Sequence, residues 1–278
     1  MYKIDMGISN EDFQECWITA GNFINQCGKK YKKAELEGFF SWLRAHLSPP
    51  LIEHLSFRFG NKIYFIQIYD IDYNLKTPND NVEGLVRFSK RCSAIPCLLP
   101  MKRDQKKIWS PVGKGWCLIS AIDGSQIDPI KLLTNEKIEM SDWEVHDTCV
   151  TLIKDKLYNQ GNEILSWQSN PDVFPSLWYC DEEGPKYVIV GSGRYPKTEI
   201  LKPKNLEDIK EEASKMSPKG FYCYVILRNL RNNKPNNLLF YLNQIFGIKL
   251  KEKIFPLIRG EQMNLRMSEM LPLYKTYH

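Results

Sequence analysis

Carboxylates near possible metal partners are the first chemistry this chain suggests. Asp70 and Asp72 stand two positions apart at the end of a strand-forming run, so an extended backbone puts both on one side, with His54 upstream. A metal site needs a third ligand, and the spacing indicates none, so these residues read as turn and edge positions. The four histidines, at 46, 54, 146 and 278, are scattered, and the chain has neither HExxH nor GxSxG. His146 and Asp147 are adjacent on a predicted helix, where neighbours point in different directions, so they do not form a dyad. The eight cysteines, at 16, 27, 92, 97, 117, 149, 180 and 223, lie mostly in apolar runs and make no CxxC. They read as reduced, buried small hydrophobes rather than disulfides or ligands. No metal site and no cofactor is expected from these patterns.

The cations divide into patches. Lys102 and Arg103 open a basic tip that continues through Lys106 and Lys107, and Arg194 and Lys197 flank Tyr195 beyond the glycines 191 and 193. Such residues neutralise phosphates while a neighbouring ring stacks on a base, so Lys102, Arg103, Arg194 and Lys197 are the candidate nucleic-acid contacts. The run from Lys29 to Lys33 reads as a solvated junction. Gly191-Ser192-Gly193 lacks the spacing of a phosphate-cradling loop and is followed by Pro196 instead of a helix. A strand weakened by glycines where another backbone or a partner comes close fits it better. With 38 basic and 33 acidic residues the net charge of +5 permits nucleic-acid binding without demanding it. A hydrophobic share of 43% in 278 residues excludes whole-chain disorder. No apolar run approaches ~18 residues and Asp5, Asn10, Glu11 and Asp12 occupy the start, so a cytoplasmic protein with no membrane partner is expected, of unassigned oligomeric state.

The elements that must position these residues are predicted as follows. A capped helix runs from Ser9 to a stop at Gly28, and the spacing of Leu36, Phe39, Phe40 and Leu43 predicts a second over 34–47. Residues 54–59 and 62–69 flank Gly60-Asn61, a hairpin signal with glycine suited to a type II′ turn. Alternation of Leu55, Phe57 and Phe59 with Ser56 and Arg58 predicts one buried and one wet face. A short helix over 82–92 follows, then an apolar run, 95–101, whose prolines predict an edge strand. Strand pieces at 108–109 and 115–120 lead to an Asp123-Gly124 turn. The fold class is α+β, with a helical, antiparallel, hairpin-rich half over 1–135 and an α/β unit over 136–278, or one continuous body.

The second half opens with Ser141-Asp142-Trp143-Glu144, a capping box. Val145, Cys149, Leu152, Ile153 and Leu157 then form an apolar stripe with Asp147, Lys154, Asp155 and Lys156 outside it, and Gly161 supplies the stop. Strands are predicted over 163–168, 176–180 and 186–190, then a helix over 205–216 capped by Asn205 and a central strand over 221–227. A helix over 238–246 and a strand over 262–267 complete the chain.

A helix, three strands, a crossover helix and a fourth strand over residues ~141–230 resemble the core of the restriction-endonuclease-like superfamily, the PD-(D/E)XK nucleases. The resemblance implies an acid at the head of the second strand and an acid-x-lysine on the third, holding a divalent cation. Here those places fall at Pro175-Ser176 and at Val190-Gly191-Ser192, so the required acids and lysine are missing. A hydroxyl and a glycine cannot replace anionic oxygens around a hard cation. The resemblance thus implies a degenerate nuclease-like fold acting as a non-catalytic binding or interaction module, associated with nucleic acid or with a protein. The alternative it implies is a metal-dependent nuclease with a displaced Mg2+ site, for which Glu163, Asp172, Asp181 and Lys186 are the candidates. A protein-only adaptor or effector is the third reading.

Overall fold

A computed structural model of the chain describes residues 11–30, 40–46, 53–72, 82–197, 199–229, 256–259 and 263–273. They form four helices and two mixed sheets, an α+β fold, divided into a unit from Met1 to Glu136 and one from Lys137 to His278.

In the first unit α1 (Glu11–Lys30) carries acids in its first turn and lysines in its last, matching the helix dipole. Its stripe of Phe13, Cys16, Ala20, Ile24 and Cys27 packs on Phe57, Phe59, Tyr64 and Ile66 of the sheet. Gly28 is not the stop: the helix runs on to Lys30, and Gly28 lies where an added Cβ would sit 2.6 Å from the Phe40 ring. Phe40 itself belongs to β1 (Phe40–His46), a strand where a second helix is predicted. β1 pairs antiparallel with β2 (Glu53–Phe59) and brings the Phe40 and Trp42 rings to 5.3 and 6.3 Å from Phe57. Those two residues also satisfy a period of two, and pairing on an aromatic strand overrides the helical spacing. Residues 34–39 and 47 lie outside the described residues.

The hairpin of β2 with β3 (Lys62–Asp70) turns at Gly60-Asn61, with Gly60 at φ 59°. Its second face is not wet. Ser56 is fully buried and donates to the Leu43 carbonyl, while α2 (Val82–Arg91) covers β3 through the stacked rings of Phe65 and Phe88. The carboxylate of Asp70 accepts the N–H of Asp72 at 3.0 Å, the turn role expected of this pair. The side-chain environment of His54 lies outside the description.

β4 (Ile95–Arg103) is central, not an edge: it runs parallel to β3 and takes β5 (Trp109–Pro111) and β6 (Leu118–Ser120) on its other side. The carbonyls of Pro96 and Pro100 accept from Ala121 and Val112, so both prolines turn their backbone polar groups toward β5 and β6. There β6 pairs only with Cys97 and Leu98 and β5 only with Met101 to Arg103. The missing N–H groups therefore face gaps in the ladder, which lets two prolines sit in a central strand. β7 (Gln126–Ile127) closes this sheet.

In the second unit Ser141 and Glu144 form the expected capping box at the start of α3 (Asp142–Asn159). Strands β8 (Glu163–Trp167), β9 (Leu177–Asp181) and β10 (Gly184–Arg194) form an antiparallel meander. α4 (Leu206–Ser214) then crosses to β11 (Gly220–Asn229), which is parallel to β10. β12 (Met263–Met267) and β13 (Leu271–Pro272) pair with the far side of β11, so β11 is central as predicted. Alternation along β10 divides the core: Val188 and Val190 pack with Cys149 and Ile153 of α3, while Tyr187 and Ile189 pack with Ile209 and Ala213 of α4. Asn205 precedes α4 without making a side-chain capping bond. The helix expected over 238–246 lies outside the described residues.

Candidate functional site

At the head of β9, where the nuclease-like reading seeks an acid, Ser176 is fully buried and its Oγ accepts the Val190 N–H at 3.2 Å. The hydroxyl thus satisfies a strand backbone donor that no carbonyl reaches. Val190, at the first acid-x-lysine position, is part of the apolar core under α3, and a carboxylate there would be desolvated with no counter-ion. Two residues on, Ser192 Oγ lies 3.1 Å from His146 Nδ1.

This last contact belongs to a polar face of α3 that the spacing did not announce. Residues Trp143 through Asp147 are all buried, so the helix is enclosed on every side at this level. Glu144 binds Arg259 through both carboxylate oxygens, at 2.7 and 2.8 Å, while the same carboxylate accepts the Ser141 N–H at 2.7 Å. Asp147, expected on the solvated face, is buried and accepts from the Ser169 hydroxyl. Burial pushes the His146 imidazole down to about 4, against the opposing charge of Asp172, so the ring is neutral at pH 7. Its Nε2 has no hydrogen-bond partner among the described residues. Sequence reasoning missed these residues because the only signal was a run of polar side chains inside an otherwise apolar helix. Their partners lie up to 115 positions away.

Of the displaced-site candidates, the structure brings Asp181 and Lys186 together and leaves Glu163 and Asp172 apart from them in role. Lys186 Nζ lies 2.6 Å from Asp181 and 2.8 Å from Glu183, and Lys219 adds a 3.1 Å contact to Glu183. Burial works against the Lys186 charge, but the two carboxylates outweigh it and raise its pKa. The two lysines in turn pull Glu183 down to about 2. This network closes the β9–β10 hairpin. Glu163 is exposed at the start of β8 opposite Cys180, and Asp172 sits in the following loop with its N–H on Asn170. Among the described residues no three His, Cys, Asp or Glu side chains converge to hold a metal ion. We expect Lys186→Met to lower the thermal midpoint by several degrees, because Asp181 loses this cation and Glu183 is left with Lys219, and to leave nucleic-acid retention unchanged. Loss of retention without loss of stability would reverse that assignment.

The nucleic-acid candidates fall in different units. Arg194, at the end of β10, binds Asp142 and the Met140 carbonyl, so its guanidinium ties the strand to the entry of α3. Lys197 is exposed, and Tyr195 beside it lies 4.3 Å beneath the Arg228 guanidinium. In the first unit Lys102 is exposed, while Arg103 pairs with Asp12 at 3.0 Å and lies over Trp109. Gly191 and Gly193 leave room for Ile200 and the Tyr222 hydroxyl, on which any Cβ would intrude. Tyr222 donates to the Ile200 carbonyl at 2.6 Å, so the segment after β10 is strapped over the glycines; what comes close to them is side chains, where the sequence suggested another backbone or a partner. All eight cysteines are free and seven are buried; burial raises the Cys16 and Cys149 thiols to about 12, which keeps them unreactive.

The arrangement defines an α+β protein whose second unit is a mixed sheet between two helices. Residues 143–272 of that unit match the model of a family described as a domain of unknown function, DUF8840. No curated protein and no solved structure matches the chain. Among the described residues no helix is long and apolar enough to cross a membrane.

Proposed function

We propose that the second unit is a non-catalytic binding module on a nuclease-like scaffold, associated with nucleic acid. The order α3-β8-β9-β10-α4-β11, with β10 and β11 parallel, supports the scaffold. The observation that carries the reading is the buried Ser176 hydroxyl bonded to the Val190 N–H, with Val190 itself in the core. A carboxylate pair at these places would have to displace a backbone hydrogen bond and enter an apolar layer. The free thiols favour a reducing compartment, and we place the protein in the cytoplasm.

The test is a mixed panel of single- and double-stranded DNA and RNA, with and without Mg2+. Retention that weakens steeply with salt, with substrates left intact, is the expected result. Metal-dependent cleavage abolished by Glu163→Ala, Asp172→Ala or Asp181→Ala would establish the displaced nuclease instead. No retention even at low salt would leave the protein-only adaptor.

A further inference from the structure

Among the described residues, no helix lies over part of one face of the first sheet. α1 packs mainly on β4 and β5 on one side, whereas α2 packs mainly on β3 and β4 on the other. Cross-strand pairing places Lys102 beside Ser110 and Leu98 beside Ile119 on that second side, and the two-residue period adds Ile108 and Val112. Ile108 is 60% exposed and Val112 36%. Exposed Lys102 lies on this side opposite Ser110, and exposed Lys106, Lys107 and Lys114 flank Ile108 and Val112 in sequence as a lysine rim, with no ion pair among the described residues.

The tip that presents them is built, not loose. Asp104, the acid within it, spends its carboxylate on the N–H groups of Lys106 and Ile108, at 2.8 and 2.9 Å. The Lys107 carbonyl accepts from Arg103 Nε at 3.0 Å, and Arg103 is anchored in turn on Asp12. Lys107 is held in the left-handed region at φ 63°, a conformation disfavoured for a residue with a Cβ. A turn needing only to reverse the chain takes glycine or asparagine there without that cost.

We propose that this face docks an acidic, amphipathic segment of a partner protein, with apolar side chains over Ile108 and Val112 and carboxylates on the lysine rim. Charge complementarity sets the sign of the partner, since these lysines make no ion pair among the described residues. A helix fits on the flat of the sheet beside α2, because Leu98, Val112 and Ile119 share one side of neighbouring strands. Nucleic acid fits less well, because Trp109 and Trp116, the two aromatic residues of 95–120, are both buried.

The full chain, with isotope-labelled isoleucine, leucine and valine methyls, is titrated with a synthetic amphipathic helix carrying leucines on one face and glutamates on the other. Its lysine counterpart, a single-stranded oligonucleotide and phosphatidylserine vesicles are titrated in parallel. The expected result is shifts at Ile108, Val112 and Ile119 with the glutamate peptide, and affinity at least roughly tenfold above that for the lysine peptide. Ile108→Asp, or Lys106→Glu with Lys107→Glu, should reduce that affinity by a similar factor without changing the melting temperature. The absence of these shifts, shifts confined to other residues, or a stronger response of the same methyls to oligonucleotide or vesicles would overturn the proposal.

Discussion

Arg259→Met is expected to destabilise the second unit by about 3–5 kcal/mol, the usual cost of stranding one member of a buried ion pair. The guanidinium is fully buried and holds both oxygens of Glu144, whose carboxylate also closes the capping box on the Ser141 N–H. Removing the arginine leaves an anion under α3 with one backbone donor in place of three. Glu144→Met alone should cost a similar amount, since the buried arginine then loses the carboxylate that holds its Nε and Nη2. The double replacement should recover much of the loss, because two apolar side chains need no solvation, less about 1 kcal/mol for the weakened helix start. Guanidinium unfolding of the four proteins checks this as a double-mutant cycle; additive single losses would mean that the pair is not coupled.

Acid should unfold this unit through His146. The imidazole sits at about 4 in the folded protein against an ordinary value near 6.5, so the unfolded chain binds the proton more tightly. The stabilisation from keeping the ring neutral is fully present above pH ~6.5 and is lost as pH falls toward 4. Over that window the difference amounts to about 3 kcal/mol. The slope attributable to one residue is isolated by comparing wild type with His146→Gln, which should be less stable at pH 7 but flatter between pH 6.5 and 4. Parallel slopes in the two proteins would sink the assignment.

Local chemistry was readable from the residues. The capping box at Ser141, the turn at Gly60-Asn61, the α3 stripe and the helix-strand order around it all depend on neighbours a few positions apart. What resisted reading depends on distant partners. Phe40 to His46 became a strand because β2 offered it an aromatic face, and β4 became central because its proline nitrogens meet gaps in the opposite ladder. Asp147 and His146 are buried because Ser169 and Ser192 arrive from later strands and loops to meet them. At the candidate site the missing acids could be seen in the sequence. That Ser176 instead satisfies a backbone N–H could not, because this depends on the register between β9 and β10.

The prolines of β4 have one more effect, on the fidelity of assembly. If β4 slid by a single position against β3, Pro96 and Pro100 would turn their nitrogens toward that neighbour, deleting two rungs from an unbroken parallel ladder. The native alignment keeps both rings clear of that ladder, so two residues that look like interruptions act as a key that rejects every slip by an odd number of positions.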